Sequence, residues 1–241
     1  MITPHELDIF QSCRARWKLA KEAGEVGEAE DDYFFALRKT IFQMYSWLQE
    51  KDKFITDRQV RERWDKNWWA MSMDEGVLEQ DQILDKAADG WMVLEHYWSE
   101  KYIGEPHLTP VGINFEFSTY QNDIHYRIHA DLVLADKHGR FYYRQFGGKK
   151  VDWRVYNSLA TKLEILGLAQ VLGHPPARKS HIDLLSKKTR IDEKSLTITP
   201  AYLRSSMKII DNVSLALKNR AIYTSPSQSC KDCPYTGKCW L

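Results

Sequence analysis

The chain has four cysteines. Three fall within ten residues, Cys230-Lys-Asp-Cys233-Pro-Tyr-Thr-Gly-Lys-Cys239, and the other, Cys13, stands near the opposite end. A Cys-x2-Cys turn puts two thiolates on one side of a tight loop, and the five residues after Cys233 bring a third round to the same point. The remaining ligand must come from elsewhere in the fold, so the two ends of the chain must meet there. Four thiolates suit tetrahedral zinc or an iron–sulfur cluster. Two disulfides, or four unrelated thiols, are the alternatives. Disulfides are disfavoured because no secretory feature is visible and the chain is long enough to need no staples.

A second group is polar. His125, His129 and Asp131 alternate along one predicted strand and therefore share a face. That suits a metal site, and equally a polar strand face beside a groove. Arg14, Arg16 and Lys18 lie beside Cys13, and Lys179, Lys187, Lys188 and Arg190 lie near a later strand. Such residues could line a phosphate track, although scattered lysines are more often solvated surface.

The elements that must position these groups fall in three zones. Residues 1–106 are helical in pattern. Thr3-Pro4-x-Glu6 has the form of a helix start, with a Thr cap, Pro in the first turn and Glu at the third position. Tyr33 to Leu48 carries Phe34, Leu37, Ile41, Met44, Tyr45 and Leu48 at three- and four-residue spacing, and Val60–Trp69 and Gln80–Trp98 form two further helices. Trp64, Trp68, Trp69, Trp91 and Trp98 cluster here and are expected in the core. Residues 107–220 are strand-rich: 111–117, 126–134 and 141–146 make an antiparallel meander, with a turn at Asp136-Lys-His-Gly139. A helix over 156–172, a fourth strand in the segment from Lys179 to Leu185 (near 181–185) and a helix from Ile198 to Leu217 follow. The cysteine tail, 221–241, closes what is expected to be a single domain. Net charge is +1 and mean hydropathy is -0.52, so composition gives no global push toward nucleic acid and argues against a membrane protein. A cytoplasmic protein is expected, or a virion-associated one if phage-encoded, with DNA or a larger protein assembly as candidate partners and no membrane.

This order of parts resembles the RecB-type branch of the PD-(D/E)XK nucleases. Within that branch it looks like the iron–sulfur nucleases of CRISPR adaptation, the AddB-type helicase–nuclease subunits and many phage exonucleases. Leu7-Asp-Ile-Phe10-Gln-Ser-Cys13-Arg-Ala-Arg-Trp17 resembles the N-terminal element, and Cys230 to Cys239, with its Pro234-Tyr235 pair, resembles the tail. The resemblance implies an α/β fold: a restriction-endonuclease-like core with a mixed central sheet flanked by helices, and a helical N-terminal region. It also implies that Cys13, Cys230, Cys233 and Cys239 hold a [4Fe–4S] cluster that clasps the chain ends.

The resemblance breaks at the active site. Such nucleases hold Mg²⁺ or Mn²⁺ with carboxylates and a histidine, and a lysine helps activate the attacking water. Their first acid falls on Asp131. Their Glu/Asp-x-Lys pair falls on Arg144-Gln145-Phe146-Gly147, so Gln145 replaces the acid and Gly147 the lysine. Their helical histidine falls near Lys39-Thr-Ile41-Phe42, where there is none, and their Gln-x-x-x-Tyr falls on Glu164-Ile-Leu-Gly-Leu168. Two classes of function follow. One is a DNA-binding or assembly pseudonuclease, including a structural subunit of a larger complex. The other is an active exonuclease whose site has migrated to Asp131, Lys149 and Glu164, with Mg²⁺ or Mn²⁺ as a further cofactor only in that case. For Lys149 and Glu164 the plainer expectation is a solvated loop charge and an exposed helix residue.

Overall fold

The computed structural model describes residues 1–24, 32–75, 80–147, 153–185, 191–219, 230–231, 233–235 and 239. Helix α1 (Pro4–Ser12) starts as its sequence dictates: Thr3 Oγ1 accepts the Glu6 N–H, and Glu6 returns the bond to the Thr3 N–H. Its last residue abuts Cys13, which caps α2 (Arg14–Ala23) with its sulfur. The long helices α3 (Asp32–Lys51), α4 (Asp57–Glu75) and α5 (Gln80–Tyr97) follow, and α5 runs into a π-helical turn, Trp98–Ile103.

The aromatic spacing on α3 and α4 explains how these helices pack. Trp64 and Trp68, one turn apart, stack with ring centroids 5.8 Å apart, and Tyr33 meets both rings edge-on. Both indoles are buried with their N–H satisfied, Trp64 by Ala87 O and Trp68 by Ile83 O of α5. Gly90 allows the close approach, since a Cβ there would lie 2.2 Å from Trp64. Of the five tryptophans expected in the core, Trp64 and Trp68 are buried, Trp91 and Trp98 pack against the core partly buried, and Trp69 is exposed.

The sheet has five strands in the order β1 (Thr109–Gln121), β2 (Ile124–Ala135), β3 (Phe141–Gly147), β4 (Arg178–Asp183) and β5 (Asp192–Thr197). The first three are antiparallel as expected, β4 runs parallel to β3, and β5 is antiparallel to β4. The fourth strand, read in the segment from Lys179 to Leu185, runs from Arg178 to Asp183, and β5 has no counterpart in the sequence reading. Helix α6 (Leu159–Leu172) is preceded by a 3-10 turn, Trp153–Asn157, in place of a helix from 156, and α7 spans Pro200–Lys218.

Helices cover both faces of the sheet. On one face α3 and α5 pack through Leu37, Ile41, Met44 and Tyr97 onto Leu132, Leu134, Phe146 and Ile182, with α4 packed against α3 and α5. On the other, α1, α6 and α7 pack through Leu7, Leu163 and Ile210 onto Tyr126 and Ile128. Among the described residues no helix is long and apolar enough to cross a membrane.

Candidate functional site: a forked sheet with buried charge

Strands β2 and β3 pair only from Leu132–Arg144 to Ala135–Phe141. Before Leu132 the edge of β2 facing β3 takes the N-terminal segment instead: Ile2 N–H donates to His125 O and Arg127 N–H to Ile2 O, each at 2.9 Å. Past Arg144, β3 continues to Gly147 against β4. The sheet therefore forks, and Asp131 stands at the fork. Its Oδ2 accepts the Phe146 N–H at 2.8 Å, which supplies the acceptor that a continued ladder would have offered.

The local backbone turns Asp131 into this position. On β1, Ile113 faces the α3 side while Phe115 faces the α6 side, although regular strand residues two apart share a face. Asn114 between them has a φ of 46°, which switches the alternation. The cross-strand partners Leu132 and Ala130 on β2 divide in the same way, with Asp131 between them.

Asp131 is 4% exposed. Arg38 of α3 brings Nη1 to 3.5 Å from its Oδ1, and His129 Nδ1 lies 3.7 Å from the same atom. His129 also hydrogen-bonds Asn114 Oδ1 at 2.8 Å. Burial pushes the Asp131 carboxyl up to about 6, against the opposing pull of Arg38, the Phe146 N–H and Lys179.

Lys179 enters from β4. It is 0% exposed, and the register that pairs it with Tyr143 lays its Nζ 5.1 Å from that ring's centroid. Nζ donates to Thr161 Oγ1 at 3.0 Å and to Glu164 Oε2, both from successive turns of α6. Glu164 is buried, not exposed as its place on a helix suggested. Burial raises its carboxyl, Lys179 opposes this, and Asp131 adds to the rise. Tyr143, whose hydroxyl bonds Glu164, is pushed well above its ordinary range by burial and by the same two carboxylates. Strand β2, helix α6 and strand β4 thus bring Asp131, Glu164 and Lys179 into one electrostatic neighbourhood.

At the expected acid–lysine pair, Gln145 pairs in register with His181 of β4. A Cβ on Gly147 would lie 2.1 Å from His181 Nε2, so the imidazole fills the space beside the glycine. Burial and the nearby Lys179 lower His181 to about 4, which keeps the ring neutral near pH 7. His125 is remote from this chemistry and stacks on Tyr120 with centroids 4.5 Å apart. Lys149, Lys187, Lys188 and Arg190 lie outside the described residues. Arg38, Lys179 and His181 are the site residues that sequence reasoning missed. Lys179 was visible only as one of several scattered lysines.

The four cysteines are half-buried. Cys13 Sγ accepts the Arg16 N–H at 3.4 Å at the start of α2. In the tail, Cys233 N–H donates to Cys230 O at 3.4 Å and Cys239 N–H to Tyr235 O at 2.9 Å, while Tyr235 is buried. Burial and the nearby thiols of Cys13, Cys233 and Cys230 push the Cys239 thiol up. Among the described residues no three His, Cys, Asp or Glu side chains converge as the ligands of a metal ion would.

No family model matches the chain, and no curated protein matches it. Among solved structures it is similar to the "Putative exonuclease" of Eubacterium rectale, at a TM-score of 0.59 and 9% identity over 98% of this chain and 87% of that one. The fold is nuclease-like. At that identity the likeness concerns the path of the backbone, not the chemistry of the side chains. The SSO0001 structure is similar at a TM-score of 0.35 and 13% identity, over 86% of this chain and 95% of that one, too far in shape to carry an argument.

Proposed function

We propose that this protein uses a nuclease-like fold, clasped by a [4Fe–4S] cluster, to bind DNA or join a larger assembly without cleaving DNA. One observation carries the reading. The place beside Gly147, where the resembled nucleases have their lysine, is filled by His181. A phosphodiester site of this kind needs about two carboxylates to hold a divalent cation against water, and that cation to stabilise charge at phosphorus. Gln145 contributes a dipole and no charge. Asp131 is occupied by Arg38 and the Phe146 N–H, and Glu164 by Lys179.

For the cluster, the support is the donor set. Cys239 lies within electrostatic reach of Cys230 and Cys233 beside it and of Cys13 from the other end of the chain. One, Cys13, accepts the Arg16 backbone N–H at the start of α2 through its sulfur. Cys13, Cys230, Cys233 and Cys239 would hold the cluster, which when bound supplies a covalent tie between the termini.

A second reading has its own observation. Asp131, Glu164 and Lys179 gather around one buried neighbourhood, so a migrated exonuclease site would use Lys179 as its lysine in place of Lys149. The test is a binding and degradation assay on single-stranded and duplex DNA ends with Mg²⁺ and with Mn²⁺. DNA bound and left intact is the expected result. Degradation that Asp131→Ala abolishes would establish the migrated site instead. Neither binding nor cleavage would leave the structural-subunit role.

A further inference from the structure

We propose that Arg38 and Lys179 are built-in counter-cations that stand where this fold would otherwise recruit a divalent metal ion. The fork between β2 and β3 is thereby closed to metal by the protein's own side chains. The inference rests on the pseudonuclease reading and names what replaced the metal. A divalent ion in an oxygen-ligand site does two things at once: it neutralises buried carboxylates and offers open positions to substrate. Here the first task is already done. Asp131 and Glu164 are 4% exposed each, and a carboxylate so buried needs a charged or hydrogen-bonding partner. Each has one: Arg38 reaches Asp131 from the α3 side of the sheet, and Lys179 meets Glu164 on the α6 side.

Neither cation is a loose surface charge. The Arg38 guanidinium lies 5.7 Å from the ring centroids of both Phe34 and Phe42, which hold it on the inner face of α3. Lys179 is fixed by Thr161 Oγ1 and by the face of Tyr143. Both act on Asp131 itself, lowering its carboxyl against the effect of burial. A metal ion entering the fork would face two fixed positive charges in a poorly screened interior. An ammonium or guanidinium has no lone pair to offer it. The same groups that balance the carboxylates therefore repel the ion those carboxylates would bind.

Mn²⁺ binding by the full-length protein, read from the electron paramagnetic resonance signal of free Mn²⁺, tests this. The comparison is between the wild type, Arg38→Gln and Lys179→Met, each with and without Asp131→Asn. The wild type is expected to bind no Mn²⁺ that depends on Asp131. Arg38→Gln and Lys179→Met are each expected to bind Mn²⁺ about tenfold more tightly than wild type, since one opposing unit charge is removed, and to lose the gain with Asp131→Asn. Asp131-dependent Mn²⁺ binding by the wild type would overturn both this inference and the pseudonuclease reading. If Arg38→Gln binds no better than wild type, the inference falls and the pseudonuclease reading stands. Should Lys179→Met fail to fold, the Arg38→Gln arm decides alone, because Arg38 is partly exposed and Asp131 keeps its hydrogen bond from the Phe146 N–H when it is removed.

Discussion

At Asp131, burial and its neighbours pull in opposite directions, and burial wins. The carboxyl titrates at about 6 against an ordinary 3.8. The folded protein therefore holds this proton more tightly than the unfolded chain does. The resulting stabilisation is complete below about pH 4 and is lost as pH rises through 6, for a total of about 3 kcal/mol. Asp131→Asn keeps an oxygen for the Phe146 N–H and removes the ionisation. The variant should be more stable than wild type at pH 8, and the difference should vanish by about pH 4. Urea denaturation across that range is the measurement, and a pH-independent difference would show that Asp131 is not burdened in this way. The Lys179–Glu164 pair obeys the complementary rule. Removing one partner strands a buried charge, so Lys179→Met and Glu164→Gln should each cost about 3–5 kcal/mol. The double variant should recover most of that loss. If the two costs simply add, the pair is not coupled.

Elements explain why the expected lysine is missing from β3. The parallel register sets Gln145 beside His181, and the imidazole then leans over Gly147. Gly147→Ala should destabilise the protein by about 1–3 kcal/mol through overpacking, and His181→Ala should relieve most of that cost. Thermal melts of the two single variants and the double variant would show this, and an unaffected Gly147→Ala would remove the steric argument. It follows that Gln145→Glu and Gly147→Lys alone cannot rebuild a nuclease site, since the lysine needs the space His181 holds. The same scale shows why β5 escaped sequence reading. Asp192-Glu-Lys-Ser-Leu-Thr197 has almost no apolar content, as befits an edge strand whose charges discourage pairing with another chain. The network from Lys101 to Glu193, and from Arg144 to Glu105 and Tyr45, ties that edge to the helical side.

For the whole molecule, the proposed cluster would decide how the ends are held. A link from Cys13 to the tail closes almost the entire chain into one loop. On the cross-link model such a closure is worth about 3–5 kcal/mol. Anaerobically purified protein should be brown with broad absorption toward the blue. Cys13→Ser should lose the colour and melt at a lower temperature. Colourless protein carrying stoichiometric zinc would sink the iron–sulfur assignment while leaving a four-thiolate site in place.

Sequence by itself determined the helices of the first hundred residues, the three-stranded meander and the position of Asp131. Periodicity, caps and turns are local, and they are written in neighbouring residues such as Thr3, Pro4 and Glu6. It also showed that Gln145 and Gly147 depart from the resembled nucleases. Only the tertiary structure decided that Lys179 and Glu164 are buried partners and that Arg38 lies over Asp131. Lys179 in an otherwise polar strand reads as a solvated charge until α6 is laid over it. Whether a charge is exposed or neutralised depends on what packs above it, and residues 38, 131, 164 and 179 meet only when the sheet forks and helices close on both faces.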